Sequence, residues 1–394
     1  VAHAQRIWRA MPLVLRTLLN GGRDLISKLP DSEARDQQEL GLNVGLISSL
    51  ITLRGDGHPE AGAVLERALE LGEKVGDPPQ LFIPALGYVA FLGAIAQCVK
   101  GQQAWASLMA MAERAGDALF ITLSNWPALI SLMRGDFHSA LSHMQPIIQF
   151  CDVDEHSELR HAFGVDPGAI SRLWAAWALW FLGYPDQAAG MVQEALELAF
   201  RLEHAHSIAF VAGMGCLVQS LGGDLNRMGE CAEVALRVSD THGIGKFWGD
   251  GLINLSAVQM ERGQFDEGIA KIREGISVVP GTGTKLGYSI NLLRLAGALG
   301  QAGERETAIQ VLDKSIDFVG ESDEQIMAAE AHRMRAKLSA EVGAAEKRTE
   351  EIYVRGLEIA HQQAAMPLEL RILMDLCLMW EGHSEQAEAM SMLR

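Results

Sequence analysis

Positive charge is scarce in this sequence: 33 Lys and Arg stand against 50 Asp and Glu, a formal net charge of −17. That balance is wrong for gripping phosphate backbones or anionic lipid, so neither nucleic acid nor membrane is expected as a partner. Cysteine motifs are missing as well. Cys98, Cys151, Cys216, Cys231 and Cys377 are scattered singly, with no C-x-x-C, a pattern that argues against a disulfide framework or thiolate metal site and suits reduced thiols in a cytoplasmic protein. The most apolar stretch, Leu81 to Ala96, is broken by Pro84, Gly87 and Gly93, and it falls short of the roughly 20 residues a spanning helix needs. The chain opens at Val1 without a basic leader or a cleavage-type site; its first segment is already helical in pattern, as in a piece of something longer. Aromatic residues make up only 6%. No segment alternates apolar and polar residues for long enough to suggest a sheet.

Motifs that carry chemistry are equally thin. No G-x-x-x-x-G-K-[ST], G-x-S-x-G or H-E-x-x-H occurs. The segment "ISVVPGTGTKLGYS", residues 276 to 289, looks at first like a strand running into a phosphate loop. Its glycines miss the G-x-G-x-x-G spacing and no βαβ unit surrounds them, so it is expected to be a connecting loop. His204 and His206 are two residues apart, which on a helix points their side chains about 200° apart, unsuited to a shared metal. Accordingly no catalytic residue, cofactor or metal site is expected.

What the sequence does contain is repetition. Short glycine turns between apolar segments recur at Gly55, Gly101, Gly135, Gly183, Gly223, Gly263, Gly303, Gly343 and Gly382, with successive separations of 46, 34, 48, 40, 40, 40, 40 and 39 residues. If each glycine joins two antiparallel helices, small residues should recur where the helices approach. Seven positions before the turn stand Ser48, Ala94, Ala128, Ala176, Cys216, Ser256, Ala296 and Ala336, and only Asp375 departs. Five positions after it stand Ala106, Ala140, Ala188, Gly268, Ala308 and Ala387. Tetratricopeptide (TPR) hairpins demand small residues at these places. Segments such as "VQEALELAFRLEH" and "VRGLEIAHQQA" carry one apolar stripe and one wet face. One hairpin cannot bury its stripe alone, so neighbours must stack, which accounts for 394 residues without separate globules.

The stretch "HAFGVDPGAISRLWAAWALWFLGYPDQAAGMVQEALELA", from His161 to Ala199, resembles the TPR region of large bacterial regulators. In these, an adenylate or guanylate cyclase module, or another output module, precedes an AAA-type ATPase and a long C-terminal repeat array. "LPDSEARDQQELGLNVGLISSL" and "QQAAMPLELRILMDLCLMWEGHSEQAEAM" are similar to earlier and later landmarks of that region, so the resemblance covers almost the whole chain. It implies a sensing or docking array in a multidomain signalling protein. The cyclase's metal-binding aspartates and the ATPase's phosphate loop have no counterpart here, so no catalysis is implied for this piece.

The fold expected is all-α: a right-handed TPR-like superhelical solenoid of antiparallel helix hairpins, with repeats of about 40 residues. Residues 1–160 would form irregular hairpins and 161–394 regular ones continuing the same solenoid, with a change of curvature near 150 to 165. Asp166 followed by Pro167 should cap the tryptophan helix.

In a TPR hairpin the first helix lines the concave surface, chiefly thirteen, ten, six and three positions before the turn. That register places Trp177, Trp180, Phe210, Asn125, Asp250, Met260, Arg333 and Lys337 in the groove, with Ile170, Leu173, Thr122 and Glu330, and turns Trp174 toward the packing side. Packing competes with ligand contact at each of these positions. If Trp177 and Trp180 do face the groove, replacing both with Ala should spare the fold.

Two functions remain open. One is a noncatalytic scaffold that binds a protein or peptide segment, neutral or basic given the charge, the parent's own ATPase or output domain being the first partner to consider. The alternative is a ligand-sensing array that holds a small molecule or signal peptide. The repeat arrays of maltotriose-responsive activators and of Gram-positive quorum-sensing receptors resemble this one in repeat length.

Overall fold

The computed structural model describes residues 2–55, 57–75, 78–115, 125–151, 165–260, 263–278, 281 and 283–380. Among them, α1 (Ala2–Ile26) precedes a series of hairpins. The first three are α2 (Glu33–Arg54) with α3 (Pro59–Val75), α4 (Pro78–Ala94) with α5 (Cys98–Ala115), and α6 (Trp126–Met133) with α7 (Phe137–Phe150). Next come α8 (Pro167–Phe181) with α9 (Pro185–Arg201), α10 (Ala205–Leu221) with α11 (Leu225–His242), and α12 (Gly245–Met260) with α13 (Phe265–Val278). The last are α14 (Tyr288–Gln301) with α15 (Arg305–Glu321), α16 (Ala328–Glu341) with α17 (Glu346–Gln362), and then α18 (Met366–Met379). No strand occurs among the described residues. Each helix packs on the next, and the first helices α8, α10, α12 and α14 also touch in sequence. The chain is an all-α solenoid of TPR-like hairpins.

The turns work as their spacing implies. Gly183 sits at φ 90, where its N–H reaches the carbonyl of Trp180 and the N–H of Tyr184 that of Leu179, satisfying carbonyls that a helix end leaves orphaned. The small residues Ala128, Ala176, Cys216, Ser256, Ala296 and Ala336 have no exposed surface. Asp166 caps α8 by accepting from the Ala169 N–H at 2.8 Å. The Gly382 turn and the span 152–164, where the change of curvature was expected, lie outside the described residues.

One turn falls elsewhere than expected. Gly101 is inside α5, and the second hairpin turns at Ala96, which takes φ 60. With Ala96 in place the first separations become 41 (Gly55 to Ala96) and 39 (Ala96 to Gly135), close to the later 40. Gly101 is instead the small residue five positions after that turn; a Cβ there would lie 3.0 Å from Ile130. An alanine in left-handed backbone costs roughly 1–2 kcal/mol, so a search for glycines passes over it.

The superhelix also closes on itself. Ala94, the last residue of α4, offers a carbonyl that accepts from the N–H groups of Lys285 and Leu286, at 2.8 and 3.0 Å. Met133, the last of α6, accepts from the N–H of Gln325 at 2.7 Å. Val99, near the start of α5, donates its N–H to Asp323 Oδ2 at 2.9 Å, and Arg371 Nη2 donates to the carbonyl of Leu221, the last residue of α10, at 2.7 Å. Each bond joins a hairpin to one further along the solenoid, so one superhelical turn rests on the next. The loop at 281–287 is part of this seam: a Cβ on Gly57 would stand 2.5 Å from the carbonyl oxygen of Gly283, so two backbones meet where only glycines fit.

Gly283→Ala should therefore lower the melting temperature and enlarge the radius of gyration in small-angle scattering, with helicity unchanged. Gly281→Ala, in open space, should change neither.

Candidate functional site

Among the described residues, four consecutive first helices converge on a recess. Trp177 of α8 forms one wall and Met214 and Leu217 of α10 another. Lys246, Asp250 and Asn254 project from α12 on one face, four residues apart, while Ile290, Asn291 and Arg294 come from α14. Leu286 and Gly287 close the end nearest the seam. The recess is open to solvent and leaves about 30 Å³ of water-accessible room, space for a water or two.

The polar groups here are incompletely satisfied. Asp250 Oδ2 is buried and accepts no hydrogen bond; the Lys246 ammonium stands 3.7 Å away. The Asp250 side chain retains 12% of its accessible surface. Burial raises its pKa, opposed by the charges of Lys246 and Arg294. Asn254 Nδ2 donates to the Asp250 carbonyl at 2.7 Å, which leaves Asn254 Oδ1 without a partner. Arg294 Nη1 reaches Ser220 Oγ at 3.4 Å. Its guanidinium is lowered in pKa by burial and supported by Cys216 and Asp250. A buried polar atom without a partner loses roughly 1–3 kcal/mol of hydration, so a ligand supplying the missing donors and acceptors would find them already placed. Trp177 Nε1 donates to the Met214 carbonyl at 3.1 Å, which fixes the indole as an apolar wall.

Of the eight residues expected in the groove, Trp177 and Asp250 line this recess. The other six do not. Trp180 is 3% exposed, lying edge-on to Phe181 and under the Arg371 guanidinium at 5.2 Å. Phe210 bridges Trp174 and Phe247, with centroids at 5.4 and 4.9 Å. Asn125 bonds to the Pro167 carbonyl at 3.1 Å and to Ser171 Oγ, tying the start of α6 to α8. Met260 is buried against Gly268. Arg333 pairs with Glu330 at 2.7 Å and Asp375 at 2.6 Å, and Lys337 is exposed on α16. For Trp180 the physical reason is the closure: α18 packs back onto α8 and sets Arg371 over its ring. Ile170, Leu173 and Trp174 are buried too; Thr122 and His161 lie outside the described residues.

Lys246, Asn254, Asn291 and Arg294 were missed. A signal existed for two of them: nine positions before successive turns stand Trp174, Met214, Asn254 and Arg294, an apolar row that turns polar. Among the described residues no group of three or more His, Cys, Asp or Glu is placed to hold a metal ion, and no helix is long and apolar enough to cross a membrane.

No protein-family model matches the chain. It is 27% identical over 224 residues to an uncharacterized protein of Rhizobium meliloti (strain 1021), a match covering 56% of this chain and 22% of that protein, so the chain spans about a fifth of its curated relative. Among solved structures, the fold is similar to that of a Rap protein complexed with Competence and Sporulation Factor, with a TM-score of 0.62 at 12% identity over 92% of this chain and 98% of that one. It is also similar to NprR in complex with its cognate peptide NprX, with a TM-score of 0.56 at 12% identity over 90% and 98% of the two chains. A third is the Rap conjugation gene regulator of the plasmid pLS20 in complex with the Phr* peptide, with a TM-score of 0.52 at 12% identity over 89% and 93%. At these identities the likeness is one of fold, and all three support TPR-like helical hairpins.

Two expectations follow for stability. Because Trp177 and Trp180 are 1% and 3% exposed, truncating either to Ala should cost about 3–5 kcal/mol in denaturant unfolding; a double variant with wild-type stability would contradict their placement. Glu324 is wholly buried at the start of α14, accepting from the Gly287 and Ser289 N–H groups at 2.6 and 3.1 Å and from Ser289 Oγ. Burial raises its pKa against those hydrogen bonds. The folded state then keeps a proton that the unfolded chain has released, so this contribution is present at acid pH and fades as pH rises through the raised value. Glu324→Gln should accordingly gain on the wild type in unfolding free energy as pH rises above the ordinary carboxylate range. A difference that is flat or reversed with pH would show that Glu324 is ionised in the fold.

Proposed function

We propose that this chain is a noncatalytic TPR-like scaffold in a larger bacterial signalling regulator, and that its inner face binds a peptide or protein segment. The observation that carries this reading is the recess between α8, α10, α12 and α14, where Asn254 Oδ1 is buried without a hydrogen-bond partner and Asp250 Oδ2 meets only the Lys246 ammonium, 3.7 Å away. A bound segment would satisfy them. The similar folds of a Rap protein and of NprR, whose structures hold Competence and Sporulation Factor and NprX, support a peptide as the occupant. The resemblance of the sequence to cyclase and ATPase regulators supports a segment of the parent's own ATPase or output domain. A net charge of −17 favours a neutral or basic segment.

A second reading is a small molecule held at the recess, favoured by apolar walls with a few convergent polar groups. In either case the array would couple binding to an output module elsewhere in the parent, in the cytoplasm.

Panning a random heptapeptide library on the immobilised chain tests the first reading. Basic sequences should be enriched, and their Kd should rise at least tenfold, about 1.4 kcal/mol, in Asn254→Ala. Gly281→Ala should leave it unchanged. Enriched peptides indifferent to Asn254, or no enrichment, would count against the inner face as the binding surface.

A further inference from the structure

Two of the five cysteines meet inside one hairpin. Cys216 of α10 and Cys231 of α11 are both buried in a single apolar cluster with Met228, Ala232 and Val258. Cys216 holds the small-residue position seven places before the Gly223 turn, where the helices of a hairpin approach each other. Its Sγ stands 3.3 Å from the carbonyl oxygen of Ala212, one turn back on its own helix, and 3.5 Å from that of Met228 on the facing one. A helical side chain covers the turn on the N-terminal side of its own Cα. The Cys231 side chain, three residues after Met228, therefore covers the turn whose carbonyl the Cys216 sulfur touches.

The two thiols are not equivalent. Cys216 has no exposed surface, and burial pushes its thiol well up. Cys231 keeps 6% of its surface and accepts a hydrogen bond from Cys216, which holds its thiol below the ordinary value against the effect of burial. At Cys98 and Cys151 burial pushes the thiol up, to about 12 and about 11, so neither supplies thiolate near neutral pH.

We propose that Cys216 and Cys231 are a site of reversible oxidative modification, in which a hydroperoxide converts the reduced pair into a disulfide within the α10–α11 hairpin. The Cys231 thiolate, the more accessible of the two, attacks a peroxide oxygen. The O–O bond breaks, hydroxide leaves and takes up a proton as water, and the Cys231 sulfur is oxidised by two electrons to a sulfenic acid. Cys216 then gives up its proton and attacks that sulfur. The S–S bond forms as the S–O bond breaks, and the oxygen leaves as water. Two thiols and one hydrogen peroxide thus give one disulfide and two waters, and a dithiol restores the pair by exchange.

The test is to treat the folded chain with hydrogen peroxide, alkylate the remaining thiols in denaturant and identify the tryptic peptides by mass spectrometry. Cleavage at Arg227 separates the two cysteines, into peptides 202–227 and 228–237. These should appear joined by a disulfide that dithiothreitol releases, with Cys98 and Cys151 still alkylated. In Cys216→Ala, which places at this position the residue found at Ala176 and Ala296, Cys231 should instead stop at a sulfenic acid that dimedone traps. Peptides 202–227 and 228–237 recovered separately and fully alkylated would overturn the proposal. So would oxidation of Cys98 or Cys151 ahead of the pair, or Cys231 passing to the sulfinic acid with Cys216 still alkylated.

Discussion

The structure depends on the fate of carbonyl groups at the ends of its first helices. Every α-helix leaves its last carbonyls without intrahelical partners, and in a straight stack of hairpins most would face water. Here Ala94, Met133 and Leu221 present theirs to Lys285 and Leu286, to Gln325 and to Arg371, residues of hairpins much further along the chain. Such bonds exist only if one superhelical turn comes back to rest on another, so they fix the pitch of the coil as well as satisfying the carbonyls. In a repeat protein that stacks only on its neighbours, stability is a sum of local terms. The seam adds contacts of long sequence separation, among them the Gly57 and Gly283 backbones in mutual contact.

Closure also decides what the inner face can be used for. By carrying α18 onto α8, it converts Trp180 from a groove residue into part of the core. The recess between α8 and α14 is bounded at one end by Leu286 and Gly287 next to the seam. Asp250 and Arg294 are half-buried there, and each has given up part of its hydration. Binding surfaces commonly sacrifice stability in this way. Because the recess shares the 285–287 loop with the bonds to Ala94, a ligand that moves α14 would also strain the seam, which gives the site a physical route to the rest of the coil.

Much of the fold was legible in the sequence because its signals are local. Turn glycines, small residues seven places before them and amphipathic second helices each follow from a single hairpin, and Ala176, Cys216 and Ser256 are buried as that logic requires. Gly101 misled because glycine serves two purposes, turning a chain and letting helices approach, and only the second applies there. The site was legible in part. The register of one hairpin places Trp177 and Asp250 on the recess, whereas Trp180 and Phe210 are covered by neighbouring hairpins and Met260 by Gly268 of its own hairpin, which no register shows. Asn254 and Arg294 announce themselves only when residues forty apart are aligned and their polarity compared along the row. Closure itself left no local mark beyond the glycines of "PGTGTKLG", whose spacing suits a tight backbone crossing as well as it suits a loop.

Amide hydrogen exchange at Lys285, Leu286 and Gln325 tests the closure most directly. Their N–H groups are bonded only across the seam, to Ala94 and Met133, and they lie ahead of their helices, so no local helix protects them. The account expects all three to exchange slowly and to lose protection together in Gly283→Ala. Rapid exchange at these three amides, with the neighbouring helices α14 and α16 still protected, would contradict a closed superhelix.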